Sequence, residues 1–232
     1  MRERFVLKLG GHVIFSEDGV LKSDALLSYA KLIRDFWANG KQVHVVVGGG
    51  PPARRLIDLL AELSADKALQ DIIGIEASRL NAKLLAYSLI SLGVRARYIE
   101  ELSASLILED KILVMGGLTP GQSTTAVAAL LAELIKANKL VVATDVDGIY
   151  TSDPKLNSQA KKLDVVTPQE LMEILRQKHE PGGYQLIDRT ALEIIARSNI
   201  EVQVVNGLDP KNVEEALKGL SVGTTIKPSA AK

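Results

Sequence analysis

The chain has 232 residues, no cysteine, and 28 basic residues balanced by 28 acidic ones. A balanced charge gives no general attraction to nucleic acid or to anionic membranes, and a chain without cysteine has no disulfides, no thiolate catalysis and no cysteine-bound metal. We therefore expect a cytoplasmic protein that binds neither nucleic acid nor membrane.

Short apolar runs rich in β-branched residues alternate with longer amphipathic stretches, a pattern typical of βαβ units. Strands are predicted at 5–9, 42–47, 94–98, 111–115, 139–144, 201–205 and 224–227. Helices are predicted at 23–38, 53–64, 69–92, 124–137, 168–177, 187–198 and 210–218, and a loop or hairpin at 150–164. The predicted fold is α/β, one domain over residues 1–232 with a mostly parallel sheet between helix layers. Ligands are expected at the carboxyl ends of its strands.

The first predicted strand ends in Lys8 and is followed by Gly10 and Gly11. A glycine turn between a strand and a helix lets backbone N–H groups converge on an anion. A lysine in an apolar strand needs a partner, because burial of an unpaired ammonium is costly, and phosphate oxygens would be a suitable one. The alternative is a lysine on an edge strand that extends to water.

The second strand is followed by three glycines, Gly48–Gly50, then by Pro51-Pro52 and Arg54. Successive glycines indicate unusual backbone angles or close approach of a ligand, and the prolines suit the first turn of a helix. Arg54 would face the same anion, whereas Arg55 should point elsewhere. The alternative is a glycine-rich loop with a solvated arginine.

A third turn, residues 116–125, follows the fourth predicted strand and leads into a helix. Its hydroxyl residues Ser123 and Thr124 can cap that helix. Together with free N–H groups they also match a site for a monophosphate.

A fourth turn, residues 141–154, leads from a strand into several carboxylates, a glycine and a tyrosine. Such a segment could hold a nucleoside and order magnesium. A plain hairpin turn at Asp147-Gly148 is the alternative interpretation.

The four turns together resemble the archaeal-type UMP kinases of the amino acid kinase superfamily, over essentially the whole chain. The most specific blocks lie at 48–54, 71–82, 116–124, 143–150 and 187–191. The resemblance implies that ATP contacts Lys8, Gly10, Gly11, His12, Gly50, Arg54, Thr144, Asp145, Tyr150 and Asp153. It implies that UMP contacts Gly49, Asp71, Leu118, Thr119, Pro120, Gly121, Gln122, Ser123 and Thr124, with ribose hydroxyls donating to Asp71.

The activity that this resemblance implies is transfer of the γ-phosphate of ATP to UMP, giving UDP and ADP in pyrimidine biosynthesis. The catalytic residues would be Lys8, Arg54 and Asp188, with magnesium arriving on ATP and no metal bound by the protein itself. Asp188 would orient Lys8 or the metal, or would act only as a helix N-terminal acid. Similar enzymes form homohexamers built from dimers, and feedback inhibition by UTP is common among them.

Three positions depart from the family pattern. Thr125 stands where many relatives have an aspartate that organises cations, which leaves that task to Asp147, to Asp188 or to no residue. Asp145 replaces a frequent asparagine, and a carboxylate near phosphates requires a cation to offset the repulsion. His12 could donate to a phosphate or cap a turn.

Other functions share the same fold. A carboxylate kinase of the acetylglutamate or aspartate type is disfavoured by the Ser123-Thr124 cap and by Asp71. An isopentenyl phosphate kinase would need a long apolar acceptor pocket, which the sequence does not indicate. A non-catalytic nucleotide-binding oligomer is disfavoured by the presence of Lys8.

Overall fold

Eight strands form one central sheet in the part of the chain that the structure, a computed structural model, describes: residues 2–152, 157, 159–177 and 186–228. The strands are β1 (Arg4–Leu9), β2 (Gln42–Val47), β3 (Ala96–Tyr98), β4 (Ile112–Met115), β5 (Lys139–Thr144), β6 (Val165–Val166), β7 (Val202–Asn206) and β8 (Thr224–Ile226). Their order is β3-β4-β2-β1-β5-β7-β8-β6. The first six strands in this order are parallel, and β8 runs antiparallel to β7.

Helices cover both faces of the sheet. They are α1 (Gly11–Ile14), α2 (Ser23–Ala38), α3 (Gly50–Glu62), α4 (Lys67–Ser91), α5 (Thr124–Leu134), α6 (Pro168–Gln177), α7 (Arg189–Ser198) and α8 (Pro210–Leu217). Residues of α1, α2, α4 and α8 share one buried cluster with the sheet, and residues of α5, α6 and α7 share the other. This arrangement confirms the predicted mostly parallel sheet within three layers.

Burial explains why the apolar pattern of the sequence predicts the strands and helices. All six residues of β2 are buried, since a parallel strand covered by helices on both faces has no solvent side. In α2 the apolar residues recur at helical spacing, and Leu26, Tyr29, Ala30 and Ile33 form the buried face. Among the described residues, no helix is long and apolar enough to cross a membrane.

The observed boundaries match several predictions and correct others. The helices predicted at 23–38 and 168–177 and the strands predicted at 42–47 and 139–144 have the predicted ends. Helix α3 begins at Gly50, three residues before its predicted start, and α5 ends at Leu134, three before its predicted end. The α5 prediction runs too far because Lys136 has a φ of 52°, which ends the helical path.

Three short elements escape prediction: α1 with four residues, β6 with two, and a 3₁₀ helix, Ala104–Leu108, with five. None is long enough to display a clear period, and α1 begins with a poor helix former, Gly11. The segment 150–164 has the base of a hairpin, as predicted: Tyr150 pairs with Lys162, and the Leu163 N–H donates to the Ile149 carbonyl at 2.8 Å. Residues 153–156 and 158 within it lie outside the described residues.

Candidate active site

The four predicted ligand-binding turns all lie at one edge of the sheet. They follow β1, β2, β4 and β5, which are neighbours in the order β4-β2-β1-β5 and run parallel. Parallel neighbours place their carboxyl ends side by side, so residues far apart in sequence meet in one crevice.

The first two glycine turns are in direct contact. A Cβ atom built on Gly11 would lie 2.2 Å from the backbone of Gly50, and one built on Gly50 would lie 2.9 Å from the backbone of Gly11. Gly50 also has a φ of +68°, an angle that side chains rarely allow. Only glycine at both positions permits the turn after β1 to touch the turn after β2.

A cavity of about 310 Å³ opens at this contact, and we call it the donor cavity because residues predicted to bind the phosphate donor ATP line it. Its lining includes most of the predicted ATP residues, namely Lys8, Gly10, Gly11, His12, Gly50, Arg54, Thr144 and Asp145. Tyr150 is not part of this lining and lies at the base of the hairpin. Asp153 lies outside the described residues, so its predicted ATP contact stays a prediction.

Lys8 provides one cation of the donor cavity. Its ammonium lies beside Gly10, with Nζ 3.7 Å from the point where a Cβ on that glycine would be. Burial lowers the pKa of Lys8 from 10.5 to about 8, and the nearby Asp145 carboxylate partly opposes that fall. The Asp145 that departs from the family pattern therefore faces a protein cation, which offsets its repulsion toward phosphates.

A second cavity, of about 540 Å³, adjoins the first. We call it the acceptor cavity because residues predicted to bind the phosphate acceptor UMP line it. The predicted UMP residues that line it are Gly49, Asp71, Gln122, Ser123 and Thr124. The side-chain oxygen of Gln122 is buried there with no hydrogen-bond partner among the described residues. The preceding segment 118–121 leads to this lining without being part of it, and its predicted UMP contacts stay predictions.

The two cavities share one wall, formed by Gly49, Gly50, Arg54 and Thr124. Within the described structure, the Arg54 guanidinium makes no hydrogen bond and no ion pair, although it lines both cavities. Arg55 lies elsewhere, with Nη1 3.7 Å from the position of a Cβ on Gly19. The wall thus has one unpaired cation that can bind anions from either side.

Asp188 and Ser123 join the starts of two helices. The Ser123 hydroxyl donates to Asp188 Oδ2 and accepts from the Ala126 N–H at 3.0 Å, which caps α5. Asp188 Oδ1 accepts from the Ala191 N–H at 3.1 Å, which caps α7. The capping interpretation is therefore confirmed for Ser123 and for Asp188, whereas Thr124 is the first residue of α5 and does not cap it. The catalytic role of Asp188 stays a prediction.

Asn81, on α4, shapes the second glycine turn, and the sequence indicated no role for it. Its buried side-chain amide donates to the carbonyl oxygens of Gly48 and Gly49, at 3.0 and 3.2 Å. The Gly48 N–H in turn donates to the Leu9 carbonyl at 2.9 Å, so the start of this turn is held both by α4 and by the end of β1. The family block at 71–82 contains this asparagine, but no sequence period distinguishes it.

Other side chains of α4 hold the third turn. Asp71 Oδ2 accepts from the Gly121 N–H at 2.8 Å, and Ser78 Oγ accepts from the Gly117 N–H at 2.7 Å. The Arg79 guanidinium donates to the carbonyl oxygens of residues 117 and 118 at 3.2 and 3.3 Å. Helix α4 therefore holds both the second and the third turn, which together line the acceptor cavity.

Thr125 and Asp147, the positions discussed for organising cations, differ in their surroundings. Thr125, which replaces the aspartate of many relatives, is 4% exposed in the first turn of α5. Asp147 accepts from the Asn206 side chain at 2.8 Å. No group of three acidic, histidine or cysteine residues suited to a metal occurs among the described residues.

Known proteins are similar to this chain in both sequence and fold. The profile of the amino acid kinase family matches residues 3–206. The uridylate kinase of Hyperthermus butylicus is 44% identical over 223 residues, covering 95% of this chain and 96% of that protein. The crystal structure of uridylate kinase from Archaeoglobus fulgidus superposes with a TM-score of 0.80 at 40% identity, covering 97% of this chain and all (100%) of that one. The UMP kinase of Bacillus anthracis gives 0.83 at 25% identity, with 98% and 97% covered. On this profile, these identities and this fold, the chain belongs to the amino acid kinase family, in the branch represented by archaeal uridylate kinases.

Proposed function

We propose that this chain transfers the γ-phosphate of ATP to UMP, giving UDP and ADP in de novo pyrimidine nucleotide biosynthesis. The observation on which this proposal rests is the wall that the donor and acceptor cavities share at Gly49, Gly50, Arg54 and Thr124. A donor triphosphate and an acceptor monophosphate bound on either side would meet end to end at that wall. Phosphoryl transfer requires this in-line approach.

Charge neutralisation accounts for the catalysis in this proposal. A phosphate oxygen of UMP is already ionised near neutral pH, so its attack on the γ-phosphorus needs no strong general base. Lys8 from the donor side and Arg54 from the shared wall would stabilise the charge that spreads over the transferred group. The N–H groups of Gly49 and Gly50, in the turn that Asn81 holds, would add further donors at the same place.

Magnesium would arrive with ATP and not as a resident ion. Mg²⁺ at kinase sites is usually bound by substrate phosphates, waters and one or two carboxylates, and Asp145 in the donor cavity is a suitable carboxylate. When bound, the ion would neutralise charge on the triphosphate.

We further propose that the cytoplasmic enzyme is a homohexamer assembled from dimers. The N-terminal part of the chain would mainly bind UMP, and the C-terminal part would contribute Thr144 and Asp145 to an ATP site that it shares with Lys8 and the first two glycine turns. Exposed apolar side chains on α3, directly after it and on α4 support subunit association, because contact between subunits would remove their apolar surface from water. These side chains are Leu56, Leu59, Leu63, Leu69, Ile72, Leu80, Leu84, Tyr87 and Ile90. Feedback inhibition by UTP belongs to the same proposal.

A coupled assay of ADP release tests the activity. Wild-type protein with Mg·ATP is offered UMP, CMP, acetylglutamate or isopentenyl phosphate in parallel. We expect turnover with UMP that exceeds turnover with either of the last two by orders of magnitude. Nucleotide binding without turnover of any acceptor would instead favour a non-catalytic oligomer, and preferred turnover of acetylglutamate or isopentenyl phosphate would replace the proposed acceptor.

A further inference from the structure

The base of the hairpin that follows β5 contains a side-chain hydroxyl in place of a backbone hydrogen bond. Two opposite residues of an antiparallel pair can exchange two N–H···O bonds. Ile149 and Leu163 make one of them, from the Leu163 N–H to the Ile149 carbonyl at 2.8 Å. The Thr224 hydroxyl bridges the other two groups, since it accepts from the Ile149 N–H at 2.8 Å and donates to the Leu163 carbonyl. Thr224 therefore joins both arms of the hairpin to β8.

The surroundings of Thr224 leave its hydroxyl little freedom. Thr224 is fully buried, at 0% exposure, and Ile149 beside it is buried as well. A Cβ atom built on Gly148 would lie 2.5 Å from Thr224 Oγ1, so the chain passes the hydroxyl without room for a side chain. Loss of the hydroxyl would leave the Ile149 N–H unpaired in the interior or would let the two arms close on each other. Either outcome would displace the base of the hairpin.

Thr224 lies in register with Lys8 across the sheet. Their strands, β8 and β1, are connected through Val204 of β7 and Val142 of β5, each paired in register with its neighbours. Neighbouring strands are about 4.8 Å apart, so three steps span about 14 Å. Lys8 and Val142 line the donor cavity, and this row therefore leads from that cavity to the base of the hairpin.

The shared wall determines the direction in which a donor nucleotide extends. The wall lies mainly at the turn after β2, and the transferred phosphate of the proposed reaction must lie next to it. The rest of the donor then extends away from β2, past Lys8 on β1 and toward Thr144 and Asp145 at the end of β5. The chain continues from Asp145 into the hairpin base at Ile149 and Tyr150. A donor bound in this way has its nucleoside toward the hairpin base.

We propose that Thr224 is a positioning residue for the phosphate donor: its hydroxyl holds the base of the hairpin 149–163 where that hairpin meets the nucleoside of ATP. The inference rests on the proposed function and deepens it. It gives β8 a share in the affinity for ATP, although residues 224–226 of that strand line neither cavity. The phosphates of ATP, which bind at Lys8 and the glycine turns, do not depend on Thr224.

Titration calorimetry with Mg·ATP, and separately with magnesium tripolyphosphate, compares the wild type with Thr224→Val, which keeps the shape of the side chain and removes the hydroxyl. We expect the Kd for ATP to rise about tenfold, because the bridged N–H and carbonyl lose their partner. The Kd for tripolyphosphate, which has no nucleoside, should be unchanged. In the assay of ADP release, the KM for ATP should rise in parallel, while the KM for UMP and kcat stay within about twofold.

Three further variants separate the hydroxyl from general effects on folding. Thr224→Ser keeps the hydroxyl and should bind ATP as the wild type does. Gly148→Ala would displace the same hydroxyl from the other side of the contact, so it should weaken ATP binding even where Thr224→Val fails to fold. Thr225→Val is the matched control, because Thr225 pairs with both neighbouring strands through its backbone, and its Kd for ATP should equal that of the wild type.

An unchanged Kd for ATP in Thr224→Val, or equal losses with ATP and tripolyphosphate, would overturn this role of Thr224. Weak ATP binding by Thr224→Ser would overturn it too, because the hydroxyl would then not be the group that matters. Absence of UMP turnover in the wild type would instead overturn the proposed function. The binding measurements need no acceptor, so the two failures are distinguishable.

Discussion

Replacing Lys8 with methionine should stabilise the ligand-free protein and abolish its turnover. Burial lowers the pKa of Lys8 from 10.5 to about 8, with Asp145 partly opposing the fall. At about 1.4 kcal/mol per pH unit, the folded protein therefore holds this charge at a cost of about 3 kcal/mol near pH 7. Methionine has a similar unbranched length and no charge, so it removes the cost without leaving a large void.

The stability gained by replacing Lys8 depends on pH. Between pH 8 and 10.5 the unfolded chain retains the Lys8 proton that the folded protein has lost, so the folding cost falls as the pH rises. By pH 10 it should be about 1 kcal/mol. The stability gained by Lys8→Met should therefore be largest at or below pH 7 and shrink in alkaline buffer.

Guanidinium unfolding of the wild type and Lys8→Met at pH 7 and pH 10 measures this difference, with UMP-dependent ADP release measured alongside. Lys31→Met, at an exposed position of α2, is the control for replacing a lysine at the surface. We expect Lys8→Met to be more stable than the wild type at pH 7 and inactive, with nucleotide affinity reduced much less than turnover. A variant less stable than the wild type at pH 7, or one with full turnover, would refute this account of Lys8.

Two further predictions concern a buried histidine and the arginine pair. Burial lowers the pKa of His44 to about 3, and its Nδ1 accepts the Leu113 N–H at 3.1 Å. Acidification through the range from 6.5 down to 3 protonates this histidine in the unfolded chain alone, so stability should fall, by about 3 kcal/mol at pH 4.5. Urea unfolding across this range should show a shallower decline for His44→Gln, and parallel declines would contradict the assignment. Arg54→Met should lower kcat/KM for UMP by about 100-fold, through loss of charge-assisted hydrogen bonds. Arg55→Met, at the neighbouring position outside both cavities, should stay within about twofold, and comparable losses in the two variants would remove the special role of Arg54.

The strands, most helices and the turns that follow them could be predicted from the sequence. Buried parallel strands must be apolar along their whole length, which makes 42–47 and 139–144 readable without a structure. Local signals also predicted the starts of helices, since Pro51-Pro52 lies in the first turn of α3 and Ser123 caps α5. These signals depend on neighbours within a few residues, and a sequence displays such neighbours directly.

Contacts between distant segments were decided only by the tertiary structure. The touch between Gly11 and Gly50, the Asn81 amide on the second turn and the Asp145 carboxylate near Lys8 each join residues from different elements. The period of an element tells which of its faces is buried, but it does not tell which atom of another element that face will meet. Thr224 illustrates the limit: in the sequence it is one of two adjacent threonines, and only the pairing of β8 with β7 and the return of the hairpin place its hydroxyl between Ile149 and Leu163.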